Sequence, residues 1–260
     1  MNILEKIIEH KKIEVTQRKQ ATPVAVLEKS RFFQRQPLLL NDFLPGRTGI
    51  IAEFKRQSPS KGVINGQADI VGVTTAYAKH GASCLSVLTD EHFFGGNTAD
   101  LVTARVNEIP ILRKDFMIDE YQVVEAKAMG ADLILLIAAC LSVQQVKQLA
   151  AFAKNLGLGV LLELHAEEEL GHICDETTFV GINNRNLKTF DVDIARSLRM
   201  AAQIPAGKVK IAESGIAAVA TINLFKEHGF AGFLMGENFM KEADPGEAFA
   251  KFAQELKQPL

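Results

Sequence analysis

The sequence contains no tryptophan, only two tyrosines and only three cysteines in 260 residues, and each shortage narrows what the chain can be. Cys84, Cys140 and Cys174 are odd in number and match neither a disulfide framework nor a zinc spacing, so they read as structural thiols in a reducing compartment. Long apolar runs are missing as well. The longest, Leu133 to Leu141, has nine residues, whereas a bilayer needs about 20. Glu5, Lys6, Glu9, Lys11 and Lys12 stand where a signal peptide would need an unbroken apolar stretch, so the expected location is cytoplasmic. Charge of one sign is not in excess: 29 basic residues face 31 acidic ones, for a formal charge of -2. Only the amino-terminal stretch is mildly basic, which speaks against nucleic acid and anionic membranes as partners. None of the six histidines has ligand spacing with another histidine or a cysteine, so no metal is expected, and no Walker, dinucleotide or nucleophile-elbow motif is present. No internal repeat or low-complexity segment is evident.

What the chain does have is a soluble globular composition, 47% hydrophobic and 23% charged. A chain this long buries roughly 70 to 75% of its unfolded surface as one unit, enough to need no disulfide or structural metal. From about residue 48, short β-rich runs alternate with helical patterns and never form adjacent hairpin strands. Strands are predicted at Gly49 to Lys55, Cys84 to Asp90, Ile109 to Phe116, Ala131 to Ala138, Gly159 to His165, Phe179 to Asn184, Lys208 to Ser214 and Gly232 to Gly236. Helices are predicted at about Ile70 to His80, Thr98 to Asn107, Glu120 to Met129, Val143 to Leu156, Glu167 to Cys174, Ile194 to Ala202, Ala217 to His228 and Glu247 to Leu256. Ser142 with Gln145 forms a capping box, and Gly81, Gly130 and Gly229 directly follow helical patterns. Eight strands and eight helices are the inventory of a (β/α)8 TIM barrel, with a doubly wound sheet as its rival. Residues 1–47 read as an N-terminal helical extension, with one amphipathic helix marked by Ile3, Leu4, Ile7 and Ile8 and a second short one after Pro23. Residues 48–260 read as the barrel.

Period-2 alternation aims several charges into the barrel at the carboxyl ends of its strands. Ile51, Glu53 and Lys55 share a face, as do Leu112 and Lys114, Leu161 and Glu163, Gly181 and Asn183, and Ile211 and Glu213. Such charges are either paired ions in the lumen or members of a site, and that end is where barrel active sites are built. Glu53, Glu163 and Glu213 face Lys55, Lys114 and Arg185, an arrangement able to raise one carboxylate as a base and lower one ammonium as an acid. Glu213-Ser214-Gly215 and Met235-Gly236-Glu237 follow the last two strands, where backbone amides often cradle a phosphate. The loop Gln57-Ser58-Pro59-Ser60-Lys61-Gly62 reads either as a lid over a ligand or as a plain surface loop.

These segments resemble one known family. IIAEFKRQSPSKG, ILRKDF, LLELH, GINNRNL, AESGI and GFLMGE, in that order, together with the amino-terminal ILEKIIEHKKIEV, are similar to the indole-3-glycerol phosphate synthases over essentially the whole chain. The resemblance implies an enzyme of tryptophan biosynthesis without cofactor or metal, acting on the phosphorylated substrate 1-(2-carboxyphenylamino)-1-deoxyribulose 5-phosphate. It implies that Lys114 is the general acid and Glu163 the general base, with Lys55 and Glu53 holding substrate and assisting proton transfer. Asn183, Glu213 and Ser214 match the polar ring around the anthranilate and hydroxyl groups, and Arg185 matches a partner for the substrate carboxylate. Ser58, Gly215 and Gly236 match the phosphate cradle, where Glu237 departs from a serine often seen. With the sequence ending at Leu260, no second, isomerase barrel is expected, and no obligate protein partner. Two other classes stay open on the residues alone: a Schiff-base, aldolase-like barrel using Lys55 or Lys114, and a barrel that binds a sugar phosphate without turnover.

Overall fold

The computed structural model describes residues 2–186 and 191–258; Leu187 of the GINNRNL segment and Leu260 lie outside the described residues. Eight parallel strands close into a barrel. They are β1 (Ile50–Phe54), β2 (Cys84–Leu88), β3 (Ile111–Lys114), β4 (Leu133–Ile137), β5 (Gly159–Leu164), β6 (Phe179–Asn183), β7 (Val209–Glu213) and β8 (Phe230–Met235). Each strand pairs with its sequence neighbours, and β8 closes on β1 through Ile50 opposite Phe233 and Ala52 opposite Met235. All predicted strands are found, and the doubly wound alternative falls because the sheet has no edge.

The strand alternation sorts the core into two layers. Ile51, Cys84, Leu112, Leu135, Leu161, Ile211 and Leu234 fill the lumen, while Ile50, Ala52, Leu85, Ile134, Leu162 and Ala212 face the helices. Local punctuation sets the helix ends. Asp69, Asp119, Ser142, Asp193 and Asp244 accept amide hydrogen bonds at helix starts, and Gly130 stops one helix at φ +90, a conformation a side chain would resist.

Three readings change. The segment after β5 is a 3-10 helix, Glu167–His172, not the predicted α-helix to Cys174. Leu170 is the one apolar residue of EEELGH, Gly171 interrupts the run, and the Glu169 side chain turns back to accept the His165 amide at 2.6 Å. Strand β8 begins at Phe230, two residues before the predicted start, with a register shift between Phe230 and Gly232 that hides the alternation. The loop after β1 holds a small antiparallel pairing of Gln57–Ser58 with Gly62–Val63.

The amino-terminal segment holds both ends of the barrel. The first helix, Ile3–Ala21, opens with a capping box of Asn2 and Glu5 and crosses the carboxyl end of the strands. The chain then follows the helix Glu120–Met129, with Ser30 Oγ donating to the Ala128 carbonyl and Lys127 Nζ donating to the Arg35 carbonyl. At the opposite end Arg35 and Arg105 both bind Asp132 at 2.5 Å, and Leu40 plugs the lumen.

The first helix is fixed by a charge that the amphipathic pattern conceals. Lys11 lies on the same face as Ile7 and Val15 and is fully buried. Its Nζ sits 2.8 Å from Asp90, 2.8 Å from Glu14 and 2.9 Å from Asp115. Burial disfavours both charges, yet Lys11 and Arg113 hold the Asp115 carboxyl well below its usual range, and the three carboxylates hold the Lys11 ammonium above its own. Asp115 therefore stabilises the fold above its unfolded pKa of about 3.9, and Lys11 does so below about 10.4, giving a plateau between them. A Lys11→Met variant leaves three carboxylates without their buried cation and is expected to lose about 3–5 kcal/mol in urea unfolding at neutral pH. Its stability should also change less than that of the parent between pH 5 and pH 2, because one of the two cations that hold Asp115 low is gone while Arg113 remains.

Candidate active site

A cavity of about 320 Å³ opens at the carboxyl ends of the strands. Its floor carries the charges that alternation aimed there. Lys114 Nζ lies 3.3 Å from Glu163 Oε2, and Lys55 Nζ lies 2.6 Å from Glu53 Oε1. Asn183 Nδ2 donates to Glu163 Oε1 at 2.8 Å, and its own Oδ1 accepts the Arg185 amide at 3.0 Å. That second bond fixes which side of the Asn183 amide faces the carboxylate.

These groups are buried enough for their charges to matter. Glu53, Glu163 and Glu213 are each under 5% exposed. Burial works against the Lys114 ammonium, but Glu163, Glu213 and Glu53 together raise its pKa above the ordinary lysine value. Burial would likewise raise Glu163, and Lys114, His165 and Asn183 more than reverse this, so Glu163 is held ionised. Glu213 goes the other way. Burial and then the neighbouring Glu163 push its carboxyl well above the usual range, despite Lys114.

Backbone geometry makes room for this cluster. A Cβ on Gly181 would lie 2.0 Å from Glu213 Oε1, so glycine on β6 is what lets Glu213 reach into the lumen. A Cβ on Gly236 would meet Glu53 Cβ at 2.8 Å, so the backbone after β8 lies directly against the β1 carboxylate. Ser214 has φ +66, the one positive φ outside glycine among the described residues, and Asn184 Nδ2 holds its carbonyl at 2.7 Å. Strain of this kind concentrates at sites.

Of the predicted site residues, Glu53, Lys55, Ser58, Lys114, Glu163, Asn183, Arg185, Glu213, Ser214, Gly215, Gly236 and Glu237 all line the one cavity. The expected trio of anions facing a trio of cations is not what forms. Arg185 turns to the mouth and pairs with Glu237 at 3.4 Å, and among the described residues Glu213 has neither a cation within ion-pair distance nor a hydrogen-bond partner for Oε1. The loop after β1 begins at Arg56, which binds Asp100 and covers Phe54, and its Lys61 reaches Glu237 at 3.7 Å. Lys61 stood inside a quoted motif without a role. The apolar wall was also missed: Ile3, Leu4 and Ile7 of the first helix, with Phe94 and Phe116, line one side of the cavity. Helical periodicity marked those isoleucines as buried but could not say at which end of the barrel.

A closed (β/α)8 barrel with a buried cluster of carboxylates and ammonium groups at the strand carboxyl ends and paired glycine turns after β7 and β8 defines an enzyme of the barrel class. The family model for indole-3-glycerol phosphate synthase matches residues 4–252. The chain is 46% identical to an indole-3-glycerol phosphate synthase of Bacteroides thetaiotaomicron, over 98% of this chain and 99% of that one. It is 50% identical to one of Chromobacterium violaceum, over 80% of each chain. The chain belongs to the indole-3-glycerol phosphate synthase family. Solved structures with low identity share the fold: a 3-hexulose-6-phosphate synthase of Salmonella typhimurium (TM-score 0.63, 11% identity, 80% of this chain and 97% of that one) and a mutant tryptophan synthase alpha-subunit of Pyrococcus furiosus (TM-score 0.60, 18% identity, 81% and 98%).

A Gly181→Ala variant is expected to push Glu213 out of its place. Overpacking of this kind costs about 1–3 kcal/mol, so thermal unfolding should show a lower Tm, and turnover should fall with it.

Proposed function

We propose that the cavity converts 1-(2-carboxyphenylamino)-1-deoxyribulose 5-phosphate into indole-3-glycerol phosphate, with Lys114 as general acid and Glu163 as general base. The observation that carries this reading is the buried Lys114–Glu163 pair, 3.3 Å apart on facing strands of the cavity floor. In the first step the ring carbon bearing the carboxylate attacks the ketone carbon, and Lys114 gives its proton to the ketone oxygen. Carbon dioxide then leaves, and its electron pair restores the aromatic ring. In the last step Glu163 takes a proton from the carbon beside nitrogen while the new hydroxyl leaves, protonated to water by the Lys55 ammonium.

The surroundings suit each part. Phe94, Phe116 and Ile7 offer an apolar wall to the aromatic ring, which keeps water from the reacting atoms. Asn183 and Ser214 offer polar contacts to the substrate's hydroxyl groups, with the Glu213 carboxyl beside them. Glu53 holds Lys55 within 2.6 Å at the edge of the same floor, where the ammonium can assist proton transfer. Ser58, Gly215 and Gly236 surround the space assigned to the phosphate. Arg185, which the resemblance gives to the substrate carboxylate, instead pairs with Glu237 as Lys61 does, which supports placing both cations at the phosphate. The Schiff-base alternative needs a neutral amine, and the carboxylates around Lys114 favour its protonated form.

We take the enzyme to work in the cytoplasm, on this one reaction, with no cofactor and no obligate protein partner. Among the described residues no helix is long and apolar enough to cross a membrane. The test of function is to mix purified protein with the substrate in excess chelator and follow indole fluorescence. Lys114→Ala and Glu163→Gln should each lower turnover by about 10² or more; near-parental turnover in either would overturn that residue's role. Glu237→Ser should lower KM about fivefold, since a like charge about 4 Å away in water is worth roughly 1 kcal/mol. An unchanged KM would place the phosphate elsewhere.

A further inference from the structure

We propose that His165 is a positioning residue for Glu163: it keeps that carboxylate ionised and in place after Lys114 has given up its proton. The proposal rests on the reading of Glu163 as the general base. In the resting site Glu163 Oε2 faces the Lys114 ammonium and Oε1 accepts from the neutral amide of Asn183. Once the Lys114 proton has moved to the ketone oxygen, the lysine is a neutral amine and no longer balances Glu163. Burial still works against its charge, so Glu163 would be drawn to take up a proton early and arrive at the dehydration step already spent as a base.

His165 is the group placed to prevent this. It follows Glu163 by two residues, so the alternation of β5 carries both side chains to the same face, and both line the cavity. Its Nε2 lies 2.9 Å from Glu163 Oε1. That is an ion-pair distance, although neither ring nitrogen is aligned for a hydrogen bond, so which nitrogen holds the proton is not fixed by a partner. The ring is 8% exposed and is held from behind. Glu169 in the 3-10 helix accepts the His165 amide at 2.6 Å and stands 3.9 Å from Nδ1. The titratable groups around the imidazole are therefore Glu163 on its own strand, Glu169 behind it, Lys114 across the lumen beyond Glu163, and Cys140, a thiol raised by burial and by these two glutamates. The imidazole, 2.9 Å from Glu163 and backed by Glu169, is thus a polar group that still faces the Glu163 carboxylate at the moment Lys114 loses its charge.

The experiment is the pH profile of kcat and kcat/KM for the parent, His165→Leu, His165→Gln and Glu169→Gln, with Glu163→Gln as reference and Tm measured for each. Removing the donor beside a carboxylate makes ionisation harder, so the acid limb that reports Glu163 should move to higher pH. His165→Leu is expected to move that limb up by about one pH unit and to lower kcat about tenfold, with KM within twofold. His165→Gln, which keeps an N–H, should restore part of the limb position. Glu169→Gln, which keeps an acceptor for the amide and leaves the histidine in place, should move the limb in the same direction by less. A fall in kcat with the acid limb unmoved in His165→Leu and Glu169→Gln would make the histidine merely structural and overturn the proposal. Parental turnover in Glu163→Gln would instead overturn the role of Glu163, and the two failures are distinguishable.

Discussion

The cost of burying charge governs this structure. Glu163 and Lys114 lie inside a barrel whose lumen is otherwise packed mainly with leucine and isoleucine, together with Cys84 and Phe179, where an unpaired ion would be neutralised or expelled. Each is tolerated because the other is 3.3 Å away, and each is pushed toward the protonation state it needs. The pairing stabilises the carboxylate as a carboxylate and the ammonium as an ammonium. Glu213 completes the set by default: with the nearby cation already engaged, its carboxyl is driven toward the neutral form.

That pair depends in turn on the parity of one strand. Lys114 points into the lumen, so its neighbours Arg113 and Asp115 point away, toward the helices. There they enter a second buried network: Arg113 with Glu125 at 2.7 Å and Asp115 at 3.0 Å, and Asp115 with Lys11 of the first helix at 2.9 Å. Thr89 donates to Asp115 at 2.6 Å from the end of β2. The backbone carrying Lys114 is thus gripped on its outer side by the helix whose Ile3, Leu4 and Ile7 wall the cavity. A segment outside the barrel pattern is therefore part of the site, through an ion pair and not only through packing.

What was legible in the sequence follows from the range of the interactions. Alternation is local, so the inward faces of Glu53, Lys114, Glu163, Asn183 and Glu213 were readable, and closure of the sheet did the rest. Caps and glycine stops are local too. Partner choice is not: Arg185 reads as one more cation for the floor, yet the turn after β6 directs it to Glu237, 52 residues further on. The pattern of Ile3, Leu4, Ile7 and Ile8 gives no sign that Lys11 is buried, because its partners Asp90 and Asp115 come from distant strand ends. The 3-10 turn at Glu167–His172 was hidden by a side chain, since Glu169 bonds to the His165 amide in place of facing water.

The same distinction bears on how the site works. The strands fix the floor rigidly, whereas the mouth, which we assign to the phosphate, is assembled from Lys61 of the first loop, Arg185 of the sixth and Glu237 after the eighth. Without substrate the two cations share the Glu237 carboxylate, at 3.7 and 3.4 Å, on side chains that are one quarter to one half exposed. Exposed pairs of this kind are worth about 0–1 kcal/mol, little against a dianionic phosphate. In the proposed reaction, exchange of Glu237 for phosphate is therefore easy, while the floor pair, buried and mutually dependent, yields only when Lys114 gives its proton to the substrate. Binding and chemistry are separated by the depth at which each ion pair is buried.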